Sequence, residues 1–189
     1  MSKGLMRSRC ECACERNATA ERPRFLVESI WDVEHWRGDK MLKKTQDKNL
    51  CTYEGLDALL NIMFHASTQI TTWYIAIFED NYTPVNGDTY ATPGYNESTA
   101  YDEATRPAFV EAAASSRSIT NSANKASFTI SATKTIYGAA LVGGGTGAST
   151  KDDTAGGGTL YCSSKFSSSK AVEDDDVLKI TVTLTAADA

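Results

Sequence analysis

The densest group of metal-ligating residues is three cysteines near the start of the chain: Cys10, Cys12 and Cys14. An i, i+2, i+4 spacing puts the three thiols on one side of an extended chain, whereas structural zinc sites usually have four ligands with C-x2-C or wider spacing. A fourth ligand could come from Cys51, His35 or His65, but nothing in the sequence places any of these nearby. We therefore expect free thiols or occasional intermolecular bridges, and no metal.

Candidate bases for catalysis are few, because the chain has only two histidines. His65 follows an apolar helical stripe and is expected at the end of a helix. His35 lies between Glu34 and Trp36 beside a predicted turn and is expected to be exposed. No G-x-S-x-G elbow or comparable nucleophile signature accompanies them, so the sequence predicts no catalytic residues and no enzyme.

The glycine-rich segment GGGTGASTKDD, residues 143–153, superficially suggests a phosphate-binding loop. The pattern G-x-x-x-x-G-K-[ST] requires Lys directly after the last Gly and a hydroxyl residue after the Lys. Here Ala148 follows Gly147 and Asp152 follows Lys151. We expect an exposed hairpin tip and no bound cofactor.

The charged residues that are predicted to lie in loops are interpreted as structural. The acidic run over residues 173–176 lacks the alternation and central Gly of a calcium loop, and a solvated turn is predicted there. Arg106 precedes Pro107 in a long loop. It is expected to brace that loop against backbone carbonyl oxygens or a carboxylate, with Asp102 and Glu103 as the candidate carboxylates.

Composition sets the class of protein. The 189 residues are 41% hydrophobic and 23% charged, which is ordinary for one globular domain with an appended arm. Nineteen basic and 24 acidic residues give a net charge of −5, which argues against a general nucleic-acid binder. No apolar run of about 18 residues or signal-peptide core is present, so we expect no membrane partner. The cysteine pattern favours synthesis in a reducing compartment.

Hydrophobic periodicity predicts the elements. Residues 1–24, with six basic and three acidic residues, predict an extended basic arm. The single β-rich domain then covers residues 25–189: a hairpin over 25–50 with a turn at Arg37–Lys40, a helix over about 53–65, and strands and long loops over 71–189. Thr52 is the predicted N-cap.

The helix is expected to bury one apolar stripe of five residues at helical spacing: Leu56, Leu59, Leu60, Met63 and Phe64. Its gross burial would stabilise the fold by about 10 kcal/mol. The apolar strand over residues 73–78 is predicted to be covered on both faces, with the helix on one of them. Strict alternation places Phe128 and Ile130 inward, and likewise the residues Leu178, Ile180, Val182 and Leu184. The whole predicts a mainly β fold, an antiparallel sandwich or barrel-like domain with one main helix.

Five blocks of the sequence resemble, in the same order, a family of small virion structural proteins of tailed bacteriophages and prophages. The blocks are YEGLDALLNIMFH, TQITTWYIAIFED, DTYATPGYNESTAYDEATRPAF, ITNSANKASFTISATKTIYGAALV and GTLYCSSKFSSSKAVEDDDVLKITVTLTAADA. The resemblance covers roughly residues 25–189. It implies a non-catalytic head decoration or cement protein on the capsid surface, made in the bacterial host cytoplasm. Its partner would be the major capsid protein, and closed symmetry would favour a homodimer or homotrimer.

Two alternatives remain open from the sequence. One is a tail, neck or fibre component of the same particle. The other is a receptor- or carbohydrate-binding module, for which four loop tyrosines could supply stacking surfaces: Tyr82, Tyr90, Tyr95 and Tyr101.

Overall fold

A computed structural model describes residues 25–188, which form ten strands and one helix. The elements are β1 (Phe25–Arg37), β2 (Lys40–Lys48), β3 (Leu50–Cys51), α1 (Tyr53–Phe64), β4 (Trp73–Phe78), β5 (Ala108–Phe109), β6 (Ser118–Thr120), β7 (Ala126–Thr129), β8 (Lys134–Gly143), β9 (Thr159–Val172) and β10 (Asp176–Asp188). The predicted arm over residues 1–24, with Cys10, Cys12 and Cys14, lies outside the described residues.

The strands form two antiparallel sheets. Sheet A has the order β2-β1-β10-β6, with β7 also paired to β10, and sheet B has the order β3-β9-β8-β4-β5. The β1–β2 hairpin turns at Gly38, whose φ of 53° is readily accessible to glycine. The predicted fold class, mainly antiparallel β with one main helix, is confirmed.

The main core lies between the two sheets and is built from alternate strand positions. Its fully buried side chains include Trp31, Val33, Ile75, Ile77, Phe128, Ile130, Leu178, Ile180 and Val182. The inward alternation predicted for β7 and β10 is therefore confirmed, and Leu184 packs on the edge of the same core. Each such side chain contributes roughly 1.5–3 kcal/mol of gross hydrophobic free energy.

A second apolar layer covers the other face of sheet B. Phe78 of β4 stacks on Tyr95 of the following loop, with ring centroids 4.7 Å apart. Tyr90 and Ala148, also from loops, are buried in the same layer. Both faces of β4 are thus covered as predicted, but the second cover consists of loops, and α1 packs mainly on β9.

Arg106 holds these loops together. Its guanidinium is buried and forms an ion pair with the buried carboxylate of Glu97. It also donates to the carbonyl oxygens of Ala148 and Asp153, both at 3.1 Å. The predicted bracing through backbone carbonyl oxygens is confirmed, but the candidate carboxylates are wrong: the partner is Glu97, and Glu103 accepts from Thr129.

Segment 143–153 begins the β8–β9 hairpin loop, as predicted. Thr146, Thr150 and Asp152 are exposed, whereas Gly147 and Ala148 are buried against the loop layer.

Candidate docking surface

The N-terminal half of α1 is fixed to β9 by polar contacts. Thr52 is the N-cap, as predicted, and accepts from the Gly55 N–H at 3.0 Å. The same hydroxyl donates to the Leu160 carbonyl oxygen. The Glu54 carboxylate accepts from the backbone N–H groups of Leu160 and Tyr90, at 2.6 and 2.8 Å. The start of the helix is therefore tied to both β9 and the loop layer.

Gly55 allows the helix to approach β9 this closely. A Cβ atom at this position would lie 2.4 Å from the carbonyl oxygen of Tyr161. Gly55 is the one buried residue of α1. Glycine inside a helix costs about 1 kcal/mol relative to alanine, and the close contact with the strand backbone is its structural reason here.

The predicted burial of the apolar stripe is wrong for its C-terminal half. Leu56 and Leu59 are partly buried, whereas Leu60, Met63 and Phe64 are 53%, 64% and 81% exposed. Along this stripe, exposure rises toward the C-terminal end of the helix, whereas the contacts of Thr52 and Glu54 hold the start of the helix against β9. We call Leu60, Met63 and Phe64 the helix face.

An apolar groove runs beside the helix face at one end of the two sheets. Its volume is about 310 Å³. Met63 lines its outer wall, and Trp73, Tyr161 and Leu184 of the main core lie on its inner side. Trp73 and Tyr161 meet edge to face with ring centroids 5.6 Å apart. Because Met63 belongs to both features, the helix face and this end groove form one continuous apolar surface.

One edge strand of sheet A has a different character. Strand β2 carries four exposed lysines, Lys40, Lys43, Lys44 and Lys48, besides the exposed Met41 and Leu42. Its end also contacts β9 through Asp47 and Lys48. Lysines on an edge strand oppose pairing with a second sheet. Strand addition by another chain at β2 is therefore disfavoured.

His35, expected to be exposed, is buried, and its Nε2 lies 2.8 Å from Asp176 Oδ2. Asp176 is also fully buried and accepts two bonds from Arg37, at 2.7 and 2.9 Å, and one from the Glu173 N–H at 2.8 Å. The Arg37 guanidinium, with these other donors, holds the pKa of Asp176 well below its usual range. The predicted solvated turn is thus wrong for Asp176, because the β1–β10 register places it opposite Arg37.

His65 caps the end of α1 and is exposed, which confirms its predicted helix-end position. Within residues 25–188, no group of three or more His, Cys, Asp or Glu side chains is placed to hold a metal ion. The sequence predicts no site residue. It does not identify the helix face either, because periodicity alone does not show whether the chain itself or a partner covers an apolar stripe.

The four tyrosines considered for carbohydrate stacking do not form an exposed platform. Tyr90, Tyr95 and Tyr101 are 8% exposed or less, and Tyr82 is partly buried and donates to Asp88 at 2.8 Å. They belong to the interior of the loop layer and the main core. The prediction of an exposed tyrosine stacking surface is therefore wrong.

Comparisons of the chain with models of protein families, with curated proteins and with solved structures find no match. The resemblance to phage virion proteins accordingly stays a prediction. Among the described residues, no helix has the length and apolar character needed to cross a membrane.

Proposed function

We propose that this chain is a structural component of a tailed bacteriophage particle. Its specific role would be a head decoration protein that binds the major capsid protein lattice and stabilises it. Two observations support this: the ordered sequence blocks, and the continuous apolar surface formed by the helix face and the end groove. The helix face carries the proposal, because a folded chain with large exposed apolar side chains has a surface suited to a partner.

The proposed occupant of this surface is a subunit of the capsid lattice. Phe64 and Met63 are the anchors, since aromatic and methionine side chains at the centre of an interface supply most of the binding free energy. The lysines of β2 would lie at the rim or face solvent. Repeated docking over a lattice, with self-association of the chain, raises the effective concentration without requiring a strong single contact.

The location of the chain in the particle tests the proposal. Particles of the phage or induced prophage that encodes this sequence would be purified and imaged by electron cryomicroscopy, with mass spectrometry of their proteins. We expect density for this chain in many copies on the head. Density confined to the tail or neck would favour the alternative structural role, and particles lacking the chain would refute both roles.

A matched pair of variants tests the docking surface. Met63→Ser removes an anchor, whereas Met41→Ser changes a 46% exposed methionine at the β1–β2 hairpin, remote from α1. Burial of the exposed part of Met63 is worth roughly 1–2 kcal/mol, so Met63→Ser should raise the Kd for capsids lacking the chain roughly 5–30-fold. Met41→Ser should leave it unchanged. Equal affinities of the two variants would contradict docking through the helix face.

A further inference from the structure

We propose that Cys51 and Cys162 form an intramolecular disulfide when the protein meets a thiol oxidant. In the β3–β9 ladder Cys51 lies directly opposite Cys162. Both thiols are free in the structure. Residues directly opposite each other in a sheet point to the same face, and here both side chains contact the main core. The inference does not depend on the proposed function.

The hydrogen bonds around the pair show which kind of position it occupies. The Thr52 N–H donates to the Tyr161 carbonyl oxygen at 3.1 Å. Thr52 and Tyr161 therefore form a hydrogen-bonded pair, and the adjacent cysteines form a non-hydrogen-bonded pair. Cα atoms in such pairs are about 4.5 Å apart, inside the range of roughly 4.4–6.8 Å that a disulfide spans. The typical Cα spacing of such a pair is therefore compatible with a disulfide.

The two thiols differ in access. Cys162 is fully buried, with its sulfur 3.9 Å from Ser29 Oγ, and Cys51 is partly exposed, with its sulfur 3.7 Å from the Val27 carbonyl oxygen. Burial raises the pKa of both thiols. Since the thiolate is the reacting form, we expect slow oxidation that begins at Cys51, on the two-residue strand β3 at the edge of sheet B.

Glutathione disulfide supplies the oxidising equivalents in a two-step exchange. The Cys51 thiolate attacks one sulfur of glutathione disulfide, forms a mixed disulfide and releases one glutathione thiolate. The Cys162 thiolate then attacks the Cys51 sulfur and releases the second glutathione. Each protein thiol gives up its proton to solvent or to departing glutathione. One protein disulfide forms, and one glutathione disulfide is reduced to two glutathione molecules.

The bond would fix the start of α1. Cys51 directly precedes the N-cap Thr52, and the loop closed by the bond contains α1, β4 and β8. A chain made with free thiols in a reducing compartment would acquire this link after release into an oxidising medium. A cross-link over so long a loop restricts the unfolded chain and stabilises the folded one.

Thiol counting on the full-length chain tests the inference. In a variant with Cys10, Cys12 and Cys14 changed to Ser, only the proposed pair remains. The folded protein would be incubated with glutathione disulfide and then denatured. The number of free thiols per chain should fall from two to none. Peptide mapping should show Cys51 linked to Cys162 in a monomer, in this variant and in the unsubstituted chain. The Tm should rise by roughly 5–15 °C relative to the reduced form.

Cys51→Ser in the same background is the matched control, because it removes the partly exposed thiol and keeps the buried one. It should show no Tm rise on oxidation and no intramolecular link. Persistence of both thiols, a stable mixed disulfide at Cys51, or covalent dimers in the variant with both cysteines would each overturn the proposal.

Discussion

Replacement of Asp176 by asparagine should strongly destabilise the fold. The two carboxylate oxygens of Asp176 accept four hydrogen bonds: two from Arg37, one from His35 and one from the Glu173 N–H. An amide has one oxygen, so its NH2 group would face donors that have lost their acceptor. Loss of one partner from a buried charged pair costs about 3–5 kcal/mol. The Arg37 side chain is 46% exposed, so water can hydrate its guanidinium in the variant. We therefore expect a cost of about 3 kcal/mol.

Urea and thermal unfolding at neutral pH would measure this cost, with a Tm decrease of roughly 6–12 °C expected. Asp174→Asn is the matched control, since it removes the same charge from an exposed position in the same turn, and it should change the stability by less than about 0.5 kcal/mol. Equal stability of the two variants would refute the role given to the Asp176 network.

The stability difference between the natural chain and Asp176→Asn should decrease in acid. Because the pKa of Asp176 is lowered in the folded state, its contribution is complete above the unfolded pKa of about 3.9 and is lost as the pH falls toward the folded pKa. The stability difference between the natural chain and Asp176→Asn should therefore shrink by about 1.4 kcal/mol per pH unit below about pH 4. A difference that stayed constant from pH 7 to pH 3 would contradict the assigned shift.

Two further substitutions test the supports of the loops and the helix. Glu97→Gln should lower the stability by about 3–5 kcal/mol in urea unfolding, because it leaves the buried Arg106 guanidinium without a counter-charge; the exposed Glu111→Gln should have little effect. Gly55→Ala should cost about 1–3 kcal/mol despite its better helix propensity, because the added Cβ meets the backbone of β9. Asn61→Ala, on the exposed side of the same helix, should be neutral or slightly stabilising, and similar effects of the two alanine variants would contradict the contact.

The parts of the fold that the sequence predicts are those governed by local rules. Alternation fixes the inward faces of β7 and β10, since burial of one face leaves no freedom of register. The Thr52 N-cap and the turn at Gly38 follow from side-chain hydrogen bonding and backbone freedom. Long-range pairing lies beyond these rules: the burial of Asp176 depends on β10 lying beside β1, which are far apart in sequence.

The docking surface could be predicted only in part. The apolar stripe of α1 is visible as a 3.6-residue period, but the period does not show whether the chain itself or a partner covers it. The signal that distinguishes the two halves of the stripe is Gly55, which marks where a backbone passes close to the helix. Only the three-dimensional arrangement shows that Leu60, Met63 and Phe64 stay exposed while Ile62 is partly buried.

The proposed docking through the helix face requires binding through a small apolar area. Leu60, Met63 and Phe64 have 53–81% of their surfaces exposed, so their complete burial would contribute about 3–6 kcal/mol gross. Association alone costs about 4–15 kcal/mol in lost translational and rotational freedom. The gain lies at or below the lower end of this cost, so the helix face alone would give at most weak binding to a single partner. On the proposed capsid lattice, linkage between copies raises the effective concentration of each further contact, and so small an apolar surface could then retain the protein on a particle.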